Sequence, residues 1–224
     1  MKRERKIRVW RVLAFAGLLS CLLFGVRAGA QTRDANTILD KAAAAYEGSK
    51  GISATFAMSV RSNGQRVGEE ERGTIQMRGD KFFLSVPGTL TWFDGTTQWS
   101  YVERNEEVNV TNPTGDELRF TNPALLLRTY REGFSASLTG ESTAPNGKAA
   151  YDVELTPSKK ADVTKVRLQI EKYSGFPASI TVEAKNGVST TVRISQLKTG
   201  VNQADDVFVF PEADYPDAEV IDLR

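Results

Sequence analysis

The chain has 224 residues with no histidine, one cysteine, 25% charged and 40% hydrophobic residues, and 29 basic side chains against 28 acidic ones. Without histidine there is no Ser-His-Asp or Cys-His nucleophile pair, no imidazole base and no zinc site of the usual His/Cys type. The near-neutral balance offers nothing to a nucleic acid, and length and apolar content suit one or two globular domains rather than a disordered chain.

The first 30 residues hold seven of the basic side chains, Lys2, Arg3, Arg5, Lys6, Arg8, Arg11 and Arg27, with Glu4 as their only acid. Val12 to Val26 is an uninterrupted run of apolar and small residues, and Ala28-Gly29-Ala30 follows. A basic start, a short apolar core and a small-x-small triplet describe a secretory signal peptide cleaved near Ala30-Gln31. The run is short for a membrane span, and an uncleaved amphipathic or membrane anchor is the alternative. Cleavage leaves residues 31–224 as one domain with 22 basic and 27 acidic residues, a formal charge of −5. Cys21 lies inside the leader, so the exported chain has no disulfide and relies on its core. Leu18-Leu19-Ser20-Cys21 loosely resembles a lipoprotein cleavage site, although Leu22, Leu23 and Phe24 continue the apolar run past the cysteine.

Beyond the leader, Asp34 to Tyr46 reads as a helix, with Asp34 or Asn36 as cap and Ile38, Leu39, Ala42 and Tyr46 on one face. The period then changes to two. Ile52, Ala54, Phe56, Met58 and Val60 alternate with Ser53, Thr55, Ala57, Ser59 and Arg61 up to the turn Asn63-Gly64. A return strand from about Glu70 to Arg78 carries Ile75 and Met77. Phe82, Leu84 and Val86 follow Gly79-Asp80, and Leu90 and Trp92 follow Pro87-Gly88. Asp94-Gly95 precedes Thr97, Trp99 and Tyr101, and then come Val108 and Val110. Pro123 starts a second helix over Ala124, Leu125, Leu126, Leu127 and Tyr130, where three successive leucines exceed one packing stripe. Alternation resumes through Tyr151, Val153 and Leu155; Val166, Leu168 and Ile170; and Ile180, Val182 and Ala184. The turn Asn186-Gly187 leads to Val188, Val192 and Ile194. About eleven strands and two helices make a mainly β, α+β domain, an antiparallel sheet large enough to curl with helices over its concave face.

Chemistry-bearing motifs are sparse. Glu69-Glu70-Glu71-Arg72 and Glu103-Arg104-Asn105-Glu106-Glu107 read as solvated hairpin ends, with no facing carboxylate pair of the glycosidase kind. Gly73, Gly79, Gly88, Gly95 and Gly187 mark turns or strand starts rather than a phosphate loop. Phe56, Met58, Ile75, Met77, Phe82, Trp92, Trp99 and Tyr101 are expected mostly on the concave side; Phe82 and Phe83, being adjacent, cannot both lie there. Such residues serve an ordinary core or an apolar cavity equally well. Leu125, Leu126, Leu127 and Tyr130 form either a lid across the open mouth of the sheet or a helix fixed in the core.

The order of these elements, with "RGTIQMRGDKFFL", "WFDGTTQWSYV", "EEVNVTNP", the proline-started leucine helix and the ending "DDVFVFPEADYPDAEVIDLR", resembles the periplasmic outer-membrane lipoprotein carriers, the LolA family, in its Bacteroidetes-type branch. The resemblance implies a half-open antiparallel β-barrel with helices as a lid over an apolar cavity. It implies a monomeric periplasmic chaperone with neither cofactor nor active site. Such a chaperone receives acylated lipoproteins from an inner-membrane lipoprotein-releasing ABC transporter and hands them to an outer-membrane acceptor. The alternative is an outer-membrane-anchored acceptor or envelope-stress sensor of similar fold, lipidated at Cys21. Where the better-known members have an Arg-Pro pair whose arginine bonds the lid, this chain has Gly79-Asp80; Arg78 stands one residue early, on the opposite strand face, and the nearby aromatic contact falls to Phe82 or Phe83. Trp92 and Trp99 are expected to report the binding of an acylated peptide by fluorescence.

Overall fold

The structure, a computed structural model, describes residues 34–119 and 123–224. The leader, its cleavage site and Cys21 lie outside the described residues. Helix α1 covers Ala35–Glu47. Six strands follow: β1 Ile52–Ser62, β2 Gln65–Arg78, β3 Lys81–Val86, β4 Thr89–Phe93, β5 Gln98–Val102 and β6 Glu107–Thr111. A short helix α2, Gly115–Leu118, and the longer α3, Pro123–Gly133, separate them from β7 Phe134–Thr143, β8 Ala149–Pro157, β9 Val163–Glu171, β10 Pro177–Ala184 and β11 Val188–Thr199. Two single 3₁₀ turns, Asp205–Phe208 and Glu212–Asp214, lead to β12, Glu219–Asp222.

The described residues therefore form twelve strands, one more than expected, in the order β12-β6-β5-β4-β3-β2-β1-β11-β10-β9-β8-β7. Every neighbouring pair is antiparallel except β12 on β6, and the sheet does not close. Strand β7 escapes a reading by period because its inward positions, Phe134, Ala136 and Leu138, include only two large apolar side chains among serines and threonines. The acidic run Glu69–Arg72 is not a hairpin tip. It lies within β2, whose pairing with β1 shifts between Met58 and Val60. There β2 has no neighbour on its far side, since β3 pairs only with Thr74 to Arg78. Charges on an unpaired strand edge are tolerated and discourage edge-to-edge association.

Gly73, likewise, is in the interior of β2 rather than at a strand start. A side chain there would place Cβ 2.5 Å from Cζ of Phe56 and 2.5 Å from the carbonyl oxygen of Ser85. Only hydrogen fits between the phenyl ring and the neighbouring strand. Gly73→Ala is expected to cost about 1–3 kcal/mol by overpacking, read as a lower urea midpoint; an unchanged midpoint would mean that β2 and β3 spread freely there.

The sheet curls around its helices. Helix α3 runs straight into β7 and packs on it, while Arg128 of the same helix is ion-paired with Asp80 in the β2–β3 turn. In sheet order β2 and β7 are six steps apart, roughly 29 Å if the sheet were flat. One buried cluster joins Met77, Phe82 and Phe93 from one half with Val153, Leu155, Val166, Leu168 and Ile170 from the other, through Ile38, Leu39 and Ala42 of α1 and Leu126, Leu127 and Tyr130 of α3.

The opposite, outer face has its own cluster. Trp92, Val108 and Val110 are covered by Phe210 and Tyr215 of the C-terminal segment, with Phe83, Leu90, Trp99 and Tyr101 packed around them. The segment is tied down at its start. Arg78 donates to the Gln203 carbonyl and to Asp205, stacks 5.5 Å from the ring centroid of the fully buried Phe208, and shares Asp205 with Lys81. The hydrogen bond from Lys81, with the charges of Arg78 and Lys81, holds the Asp205 carboxyl below its ordinary value of 3.8. A depressed folded value means that this tether contributes fully above the unfolded pKa and is lost as pH falls through the folded one. Acid titration of tryptophan emission is expected to show loosening of the strap below about pH 4, and Asp205→Asn to abolish that step; persistence of the step in the variant would assign it elsewhere.

Candidate functional site

Antiparallel pairing puts directly opposed residues on one face. The helix-bearing face therefore carries Met77, Phe82 and Phe93 in one row and Ile75 and Leu84 in the next. Because the two-residue turn at Pro87-Gly88 pairs odd positions with even ones, Phe82 opposes Phe93, whereas Phe83 opposes Trp92, and Trp92 in turn opposes Trp99. Of the eight residues expected mostly on the concave side, this corrects three. Trp92, Trp99 and Tyr101 lie on the outer face under the C-terminal segment, remote from any ligand on the helix side, so their emission is not a direct probe of such a ligand.

The other five are on the helix side, in different settings. Met77 and Phe82 are buried beneath the helices as packing residues. The Phe56 ring lies over Gly73, and Phe56 is among the residues that border a cavity of about 850 Å³. Its other borders include Thr55, Thr74, Ser85 and Ser195, the apolar Ala57, Val86 and Pro87, and the charged Arg72 and Glu103. Met58 and Ile75 are half-buried.

Met58 belongs to a long aliphatic row that crosses six strands: Met58, Val192, Ile180, Leu168, Val153, Leu138. Val60, Val182, Val166, Leu155 and Ala136 lie in the next row, with Thr190 as its one polar member. Leu168, Val153, Val166 and Leu155 are sealed at 0–1% exposure, whereas Met58, Val192, Ile180, Val182 and Leu138 are only half-buried. The open part of the helix-side face is thus an aliphatic trough. Of its members only Met58 and Ile75 were singled out from sequence; Ile180, Val182, Val192 and Ile194 were legible as strand residues but not as a surface.

The helices are fastened by polar contacts at their rims. Tyr130 donates from its hydroxyl to Asn36 Oδ1 at 3.0 Å, and Arg131 pairs with Asp40 at 2.8 Å, joining α3 to α1. Burial, reinforced by Asp40, pushes the Tyr130 hydroxyl above its ordinary range. Leu126, Leu127 and Tyr130 are buried against α1 and the sheet, while Leu125 is half-buried and borders a cavity with Phe93 and Asp80. The Gly79-Asp80 turn is the pivot. Arg78 on its outer side holds the C-terminal segment, and Asp80 on its inner side accepts from Arg128. Asp80→Asn and Arg128→Gln are expected to speed amide exchange across α3 up to about fivefold, in line with an exposed ion pair worth at most about 1 kcal/mol. Exchange unchanged in both variants would leave the helix held by its leucines alone.

Among the described residues no helix is long and apolar enough to cross a membrane. Residues 26–187 match the family model described as "Outer membrane lipoprotein carrier protein LolA". No curated protein matches the sequence. Among solved structures, an uncharacterized conserved protein from Thermus thermophilus is similar at 15% identity and a TM-score of 0.57, over 83% of this chain and 96% of that one. A putative outer membrane lipoprotein-sorting protein domain from Vibrio parahaemolyticus matches at 13% identity and a TM-score of 0.44, over 77% and 95% of the two chains. The Mycobacterium tuberculosis lipoprotein LppX matches at 13% identity and a TM-score of 0.45, over 75% and 96%. The likeness to the Thermus protein is one of fold.

Proposed function

Since the chain belongs to the outer membrane lipoprotein carrier (LolA) family, we propose that it is an exported periplasmic chaperone that shelters lipoprotein acyl chains and carries them from the inner to the outer membrane. The observation that carries this reading is the half-covered aliphatic trough around Met58, Ile75, Ile180 and Val192. Each methylene left in water costs about 0.8 kcal/mol, so a soluble escort needs a continuous apolar surface. Its own side chains must leave that surface open in part. A fully packed core admits nothing, and a fully exposed apolar sheet aggregates.

Helix α3 is the element proposed to move. Leu125, Leu126, Leu127 and Tyr130 divide between core and cavity, and the helix is fastened at exposed ion pairs that water competes for easily. Opening toward a ligand exchanges leucine–sheet contacts for leucine–acyl contacts of the same kind, so the two states differ little in free energy. The proposed donor is an inner-membrane lipoprotein-releasing transporter and the proposed acceptor an outer-membrane protein. The work asks for no cofactor and no bond-making chemistry.

Met58→Asp and Ile180→Asp each place a charge in the trough at half-buried positions. Both are expected to weaken binding of a fluorescent palmitoyl probe at least about tenfold, a difference of about 1.4 kcal/mol, with urea midpoints close to the parent's. Unaltered probe binding in both would remove the trough from the mechanism. The mass of the amino terminus isolated from the envelope tests the soluble carrier itself: a chain beginning at Gln31 supports it, and a diacylated Cys21 points instead to an anchored acceptor or sensor.

A further inference from the structure

The helix-side face changes its chemistry at β4. The row that begins with Ile75 and Leu84 continues as Thr91, Ser100 and Asn109, and the row of Met77, Phe82 and Phe93 continues as Gln98 and Thr111. Side chains along these two rows, from β2 to β6, include no charge, and the five polar ones are all half-buried. The cause lies on the other side of the same strands. Trp92, Trp99, Tyr101, Val108 and Val110 all point outward into the C-terminal cover, so β4–β6 turn their polar alternates toward the helices.

We propose that this neutral shelf is a head-group site, taking the polypeptide main chain next to the acylated residue of a cargo whose acyl chains occupy the adjoining trough. The inference rests on the carrier reading above and adds a recognition element to it. Hydroxyl and carboxamide side chains offer both donors and acceptors, which is what an extended, uncharged main chain requires. Gln98 donates to Ser100 at 3.3 Å, and among the described residues Thr91, Asn109 and Thr111 make no side-chain hydrogen bond. A cavity of about 470 Å³ bordered by Gln98, Thr111 and Asn112 adjoins one of about 420 Å³ bordered by Phe93, Asn112 and Leu125. The two share Asn112, Pro113 and Leu118 as borders, one reaching Leu125 of α3 and Phe93 and the other reaching Gln98 and Thr111 of the shelf.

The rows carry no charge, and the charged residues bordering the two cavities are already engaged, Arg224 with Asp222, Asp80 with Arg128 and Glu117 with Thr114, which disfavours a phosphate or carboxylate head. A sugar ring ordinarily stacks on an open aromatic face, and the rings of this region are buried, as Phe82 and Phe93 are, or turned outward with the tryptophans. A main chain fits better than either.

The test compares three probes on the full-length protein: palmitate, a synthetic diacylated peptide with a short neutral sequence, and a diacyl glycolipid. In Asn109→Ala/Ser100→Ala the diacylated peptide is expected to bind about tenfold more weakly, as for two hydrogen bonds lost, with palmitate affinity unchanged. Thr111→Val, nearly isosteric, is expected to show a smaller loss of the same selectivity. Equal weakening of peptide and palmitate would reduce the shelf to a packing role, and an unaffected peptide would eliminate it. A loss confined to the glycolipid would overturn the main-chain assignment in favour of a carbohydrate. If the parent protein binds the diacylated peptide no better than palmitate, the shelf proposal fails while the trough stands; if it binds neither, the carrier reading fails and the shelf with it.

Discussion

Two helices are held between strands that lie far apart in the sheet, and that single packing arrangement shapes everything else. Leu126, Leu127 and Tyr130 of α3, with Ile38, Leu39 and Ala42 of α1, meet Phe82 and Phe93 on one flank and Val153 and Leu155 on the other. A flat twelve-stranded sheet would keep those flanks apart, so satisfying both requires the sheet to bend around the helices. Bending gives the face an inside. The helices fill part of it, and the rest is left as aliphatic surface that is neither solvated freely nor packed.

The same strands also need an outside. A sheet with one covered face usually leaves its other face polar, yet β4–β6 place tryptophan, tyrosine and valine outward. The C-terminal segment answers this by laying Phe210 and Tyr215 over them, anchored where Arg78, stacked on Phe208, and Lys81 share Asp205. The segment then ends as the one parallel edge strand, pairing Glu219 to Asp222 with Glu107 to Val110. Strands sealed on the outside are free to carry amide and hydroxyl groups on the inside, where an otherwise apolar wall gains a polar end.

The Gly79-Asp80 turn links the two faces. The reversal of charge there is instructive: where the resemblance led to an arginine on the strand turn reaching the helix, this chain has the carboxylate on the turn and the arginine, Arg128, on α3. An ion pair works in either polarity because its attraction depends on the product of the charges. The replacement is visible only when both elements are placed, since residues 80 and 128 are 48 positions apart.

By itself the sequence determined the strand and helix inventory closely. Alternation placed β1 at Ile52–Ser62, as observed, Asn63-Gly64 and Asn186-Gly187 marked real hairpins, and Pro123 opened α3. Those features are local, written in period and turn chemistry within a few residues. Which face each strand shows was decided by tertiary structure. Residue parity passes through every hairpin turn, so the two-residue turn at Pro87-Gly88 sends Phe93 inward and Trp92 outward, and size and aromaticity alone had suggested the reverse. The strap was likewise beyond local reading, since Phe208 and Phe210 acquire their role only against strands far earlier in the chain. The trough and the shelf depend on how far the helices extend over a curved sheet, and that is a property of packing between distant segments, which no window of sequence contains.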